Sequence, residues 1–158
     1  MNNMKEAFRK AGHEGQRTPD KSRSGRPQAP SAKFSLRDDY TLQAEQVIRQ
    51  LMETLGRDYA YFTTSKIRNI LAQVSEIYNE VINGPDEALS AGLKSRIEYL
   101  KVRLVYECGR ERVVKRFVER AGLLNLLNNI GDSKENFKKF ARYMEALVAY
   151  HRFLGGQD

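Results

Sequence analysis

Fifteen residues, Arg96 to Arg110 (RIEYLKVRLVYECGR), limit the fold more than any other stretch of this chain. Wound as an α-helix at about 100° per residue, and joined to Leu93 just before it, they place Leu93, Ile97, Leu100, Leu104 and Cys108 on one stripe. Tyr99, Val102 and Tyr106 fall on a nearly opposite one. A helix apolar on two sides is predicted to pack on both. The expected fold is therefore all-α, a compact bundle of about five to six helices around this central helix. A polar seam of Arg96, Arg103, Glu107 and Arg110 runs between the stripes. Arg103 and Glu107 are spaced i, i+4 and predict a salt bridge. Arg110 follows Gly109, which is expected to end the helix and leave Arg110 to reach outward.

The flanking segments supply the rest of the bundle. A first helix is predicted from about Tyr40 to Leu55, with Leu42, Val47, Ile48, Leu51, Met52 and Leu55 as its apolar stripe and Gly56 as its end. After an aromatic link, Tyr59 to Phe62, the hydroxyls of Thr63, Thr64 and Ser65 precede a periodic run, Ile67 to Ile82, that predicts a second helix to about Asn83. Asn83-Gly-Pro85 breaks it, and the central helix is expected to start near Asp86. A shorter amphipathic helix over about Glu111 to Ala121 turns Val113, Val114, Phe117 and Val118 inward; Gly122 interrupts it before a short buried segment, Leu123 to Leu127. Asp132-Ser-Lys-Glu135 reads as a capping box for a last helix to about Leu154, with Phe137, Phe140, Ala141, Met144, Leu147, Val148 and His151 inward. No alternating strand pattern occurs.

Residues 1–33 differ in kind, being rich in Gly, Pro, Ser and basic residues and without apolar periodicity. They predict a disordered basic tail ahead of one helical domain, 34–158. The formal net charge is +7, and this tail carries eight Lys/Arg against three Asp/Glu. Within the rest, residues 94–120 hold nine basic against four acidic side chains, which predicts one basic face and a polyanionic partner. No apolar run approaches the roughly 20 residues that span a bilayer and no signal-peptide core is present, so the expected location is cytoplasmic, with no membrane partner. One cysteine, Cys108, and two histidines, His13 and His151, offer no metal-ligand spacing. Cys108 is expected to be an inert buried thiol and His151 a satisfied core histidine. No phosphate loop, nucleophile elbow or zinc motif is present, so an enzyme is the weaker hypothesis and no cofactor is expected.

Two basic sets remain. Lys66 and Arg68 sit in the first turns of the second helix, where the backbone already carries partial positive charge, so an anion beside them would relieve the repulsion. A phosphate held by backbone N–H groups, the preceding hydroxyls and Lys66 is one reading; a capped helix with a solvated lysine is the other. The second set is Arg110, Arg112, Lys115, Arg116 and Arg120, balanced only by Glu111 and Glu119. Charge runs of this kind are either solvated faces or phosphate contacts. Lys138, Lys139 and Arg142 form a weaker third set.

Taken together, Thr63-Thr-Ser-Lys-Ile-Arg-Asn-Ile70, Ile77-Tyr-Asn79, Glu98 to Glu111 and Tyr143-Met-Glu-Ala-Leu-Val-Ala-Tyr150 resemble one family. It is the small α-helical subunit of type III-A (Csm) CRISPR effector complexes, and the likeness covers about residues 60–154. The resemblance implies a non-catalytic subunit, several copies of which stack along a guide RNA–target RNA duplex beside other subunits of the complex. It implies RNA-backbone contact by Lys66 and Arg68, which match the family's basic pair, and by Arg110 of its Gly-Arg. With Arg103, Arg112, Lys115 and Arg116 these make the candidate RNA-binding set; whether the Arg112 to Arg120 group meets RNA or a neighbouring subunit stays open. Base pairing reads sequence in such an assembly, so cations at phosphates suffice. Two alternatives have no RNA-guided role: an oligomerising helical scaffold whose basic face meets protein only, and a helix-turn-helix regulator, which the two-sided helix disfavours.

Overall fold

A computed structural model describes residues 35–158, and the expected tail, residues 1–33, lies outside the described residues. The described chain contains six α-helices: α1 (Tyr40–Leu55), α2 (Thr64–Asn83), α3 (Ala91–Arg110), α4 (Arg112–Ala121), α5 (Leu123–Asn128) and α6 (Lys134–Phe153). A 3-10 turn, Gly56–Tyr61, joins α1 to α2.

The helix ends follow local chemistry. Ser90 caps α3, its Oγ accepting from the Leu93 amide at 3.2 Å, so the helix begins five residues later than Asp86. The intervening loop instead buries Leu89 and donates its amide to the Asp132 carbonyl. Ser133 caps α6 through the Asn136 amide. Glu135 is therefore not the reciprocal partner of a capping box, and it pairs with Lys138 instead. Gly122 closes α4 in the left-handed region, at φ 67°, a conformation open to glycine at little cost.

The last helix, α6, occupies the middle of the bundle. It packs against α1, α2 and α5, while α3 packs chiefly against α2, α4 and α5. Phe137, Phe140, Tyr143, Met144 and Leu147 of α6 are all buried. Tyr143 was not among the expected inward residues. Its Oη donates to the Ala121 carbonyl at 3.1 Å, tying α6 to the end of α4, and burial pushes its phenol up to about 12. The expected two-sided packing of α3 is half met. Leu93, Ile97, Leu100 and Leu104 are buried, but Tyr99 is 58% and Val102 62% exposed, with Val105 and Tyr106 also in the open. The reason is topological: α2, α4 and α5 pack on the first stripe, and among the described residues no element covers the second.

The aromatic link after α1 is part of the core, with Tyr59 and Phe62 buried against His151 of α6. His151 Nε2 donates to the Gln157 carbonyl at 3.1 Å, which leaves Nδ1 to accept the Tyr59 hydroxyl proton. Burial holds the imidazole below its ordinary value of 6.5 and pushes the Tyr59 phenol up to about 12. As pH falls through 6.5 the unfolded chain takes up a proton that the native imidazole refuses, so stability falls with pH until the folded value is reached. We expect the thermal midpoint, followed from roughly pH 8 to pH 5, to decline below pH 6.5. His151→Gln should flatten that decline; an unchanged slope in the variant would assign it to other groups.

Candidate nucleic-acid and partner interface

Lys66, Arg110, Arg112 and Lys115 stand where α2 begins and α3 meets α4, whereas Arg116 and Arg120 lie beside Thr54 of α1. Thr63 stands at the α2 N-cap but does not cap it; its Oγ1 bonds Ser65 Oγ at 2.9 Å. The Thr64 amide instead donates to the Gln157 carbonyl at 3.1 Å, as the C-terminal residues cross the start of the helix. Lys66 Nζ reaches Glu111 Oε2 at 2.7 Å, and this contact is the main reason the Glu111 carboxyl sits below the usual carboxylate range. The anion that relieves Lys66 is thus supplied by the chain itself. Arg68, two positions on, faces a different side of the helix and is exposed.

On α3, Arg96, Arg103 and Arg110 recur every seven residues and share one flank. That flank faces α2, because Arg96 pairs with Glu80 and Glu76 there. Among the described residues neither of the other two arginines pairs with α2. Among the described residues Arg103 makes no ion pair with Glu107, contrary to the i, i+4 expectation, and its buried Nε–H lacks an acceptor. Glu107 is itself buried, and its carboxylate approaches Arg110 at 3.7 Å, beyond hydrogen-bonding distance. The guanidinium groups of Arg103 and Arg110 lie 5.8 and 5.9 Å from the ring centre of Tyr106, which separates them. Tyr106, expected to pack on a neighbouring element, is exposed between the two guanidinium groups.

On α4, Arg112, Lys115, Arg116 and Arg120 are exposed as expected. Lys115 and Arg116 approach Glu119 only to 3.9 Å, and Arg120 bonds the Thr54 hydroxyl. In the third set Lys138 pairs with Glu135 and Lys139 with Asp38, while Arg142 is exposed. Cys108 is half-buried at the α3–α4 junction, with its thiol pushed up chiefly by burial, which disfavours a reactive thiolate.

The arrangement offers anion contacts and an uncovered apolar face together, and comparison with known proteins decides between families. The family model for Csm2 type III-A matches residues 42–157, from α1 through the last residues of the bundle. The chain belongs to that family. The CRISPR system Cms protein Csm2 of Mycobacterium tuberculosis is 41% identical over 123 residues, covering 78% of this chain and 97% of that protein. The protein of the same name from Streptococcus thermophilus is 39% identical over 121 residues, covering 77% and 95%. The family's match spans every helix of the bundle, so the α2 start, the α3 arginine line and α4 all lie within it.

No helix among the described residues is long and apolar enough to cross a membrane.

Proposed function

We propose that this chain is a non-catalytic small subunit of a cytoplasmic type III-A CRISPR ribonucleoprotein. In this reading, several copies stack along the guide RNA–target RNA duplex beside the other Csm subunits and touch phosphates without reading bases. Membership of the Csm2 family supports the assembly. The observation that carries RNA contact is the contrast along one helical line: Arg96 is paired with two glutamates, whereas among the described residues Arg110 meets only Glu107, at 3.7 Å, and Arg103 makes no ion pair. A buried donor without an acceptor costs free energy, and an anion that drew the Arg103 head outward would remove that cost. Arg68 is an exposed cation on another side of α2, and Lys66 joins the set if Glu111 yields to phosphate. Arg112, Lys115 and Arg116 add charge on α4, and the basic residues of 1–33 add sequence-independent attraction.

The test belongs on the reconstituted complex. Arg68→Ala combined with Arg103→Gln should leave subunit incorporation intact and weaken target RNA capture. The slope of log K against log salt should become shallower by about 0.7 per lost contact if single strands are held. Loss should be similar for RNAs of different sequence, since phosphates carry no base information. Capture and salt slope equal to those of the unmutated complex would remove these arginines from the RNA path.

A further inference from the structure

Between the end of α3, α4 and the first residues of α5 lies a groove of about 620 Å³. Val105, Cys108, Val118 and Leu124 contribute its apolar lining; Arg110, Arg112 and Lys115 stand around it against a single carboxylate, Glu119. It continues into the uncovered stripe of α3, so that apolar surface runs from Tyr99 to Gly109, about 15 Å along the helix axis.

Gly109 lines this groove, and nothing in the fold requires a glycine there. The helix does not end at Gly109 but runs on to Arg110, with Glu111 as its C-cap in extended conformation. Gly109 is not among the glycines with positive φ, and a Cβ built on it meets nothing within 4 Å. A glycine inside a helix costs about 1 kcal/mol relative to alanine. Here that cost yields no turn and no close backbone approach, only an open floor.

We propose that this groove is a docking site for an acidic amphipathic helix of a partner protein. Apolar side chains of the partner would enter beside Gly109 and its carboxylates would face Arg110, Arg112 and Lys115, in the manner of a helix laid into a groove. The chemistry favours this occupant over nucleic acid, because phosphates would leave Val102, Val105 and Leu124 in water. It also favours it over a second copy. A second copy docking through its own α3 stripe would bring an identical rim of Arg110, Arg112 and Lys115 against this one, and its other exposed large apolar residues, Leu42, Tyr61, Ile82 and Phe153, belong to four different elements. Residues 1–33 are basic and would be repelled by its rim.

A fluorescently labelled helical peptide of about 15 residues, with leucines at i, i+3, i+4 and i+7 and glutamates elsewhere, serves as probe. The full chain should bind it, and should bind a lysine-for-glutamate version far more weakly. Gly109→Leu, which fills the groove from a position with room for a side chain, should reduce peptide affinity at least about tenfold, or 1.4 kcal/mol, with the thermal midpoint unchanged or raised. Lys115→Glu should reduce it as well. Equal binding by the Gly109→Leu and unmutated chains, or equal binding of both peptides, overturns the proposal. So does a Gly109→Leu chain that loses a labelled RNA in place of the peptide, which would make the groove part of the RNA path. Loss of self-association in sedimentation, with peptide binding intact, would make a second copy the occupant. The RNA test above uses neither variant, so the two readings fail separately.

Discussion

Leu104→Asp unfolds the protein, whereas Val102→Asp, two residues earlier on the same helix, leaves its thermal midpoint and helical circular dichroism close to those of the parent. Leu104 is 1% exposed, and its stripe is the one that α3 buries among the described residues. Truncating a buried leucine costs about 2–5 kcal/mol even without an introduced charge. An aspartate there must be either ionised without a partner or kept neutral by a raised pKa, and each adds further cost. Against a total stability of about 5–15 kcal/mol, the sum removes most or all of the folded population. Val102 is 62% exposed, and a substitution at such a site usually changes stability by less than about 0.5 kcal/mol. Circular dichroism melts of the two variants decide the matter. Unfolding by both would mean that the second stripe of α3 is covered in the isolated chain, and survival of the Leu104 variant would mean that the first is not core.

Gly156→Ala should lift the C-terminal strap from the bundle and lower stability by about 1–3 kcal/mol, the usual range for overpacking. A Cβ on Gly156 would fall within the van der Waals shell of the His151 imidazole. The ring cannot easily yield. Both nitrogens are bonded, to Tyr59 and Gln157, and its edge packs on Phe62 with centroids 4.8 Å apart. The strap must therefore move, taking the Gln157 carbonyl from His151 Nε2 and from the Thr64 amide, and leaving a buried donor and the first turn of α2 unsatisfied. Denaturant midpoints give the stability change, and hydrogen exchange at Thr64 identifies the place where it arises. Full protection of that amide in the variant would show that the strap accommodates a side chain. Gly109→Ala is the matched control, since its Cβ meets open space.

The difference between these two glycines illustrates what a sequence can and cannot determine. By periodicity and punctuation the chain alone specified an all-helical bundle, the order and approximate limits of its six helices, the breaks at Gly56, Gly84-Pro85 and Gly122, and the inward role of His151. Those are local properties: a 3.6-residue repeat and a chain break act within a few residues of themselves. The family was also legible, in motifs spread over three helices. What the sequence could not decide is which apolar stripe finds a partner. Both stripes of α3 carry the same signal, and only the packing of α6 against α1 and α2 shows that the core closes without the second. Charge pairing is equally non-local. Lys66 looks like an unrelieved cation until the fold brings Glu111, 45 residues away, to its ammonium group, and Arg103 looks paired until Glu107 turns from it. Helical spacing fixes the side of a helix on which a residue stands; the identity of its neighbour there is set by tertiary packing alone.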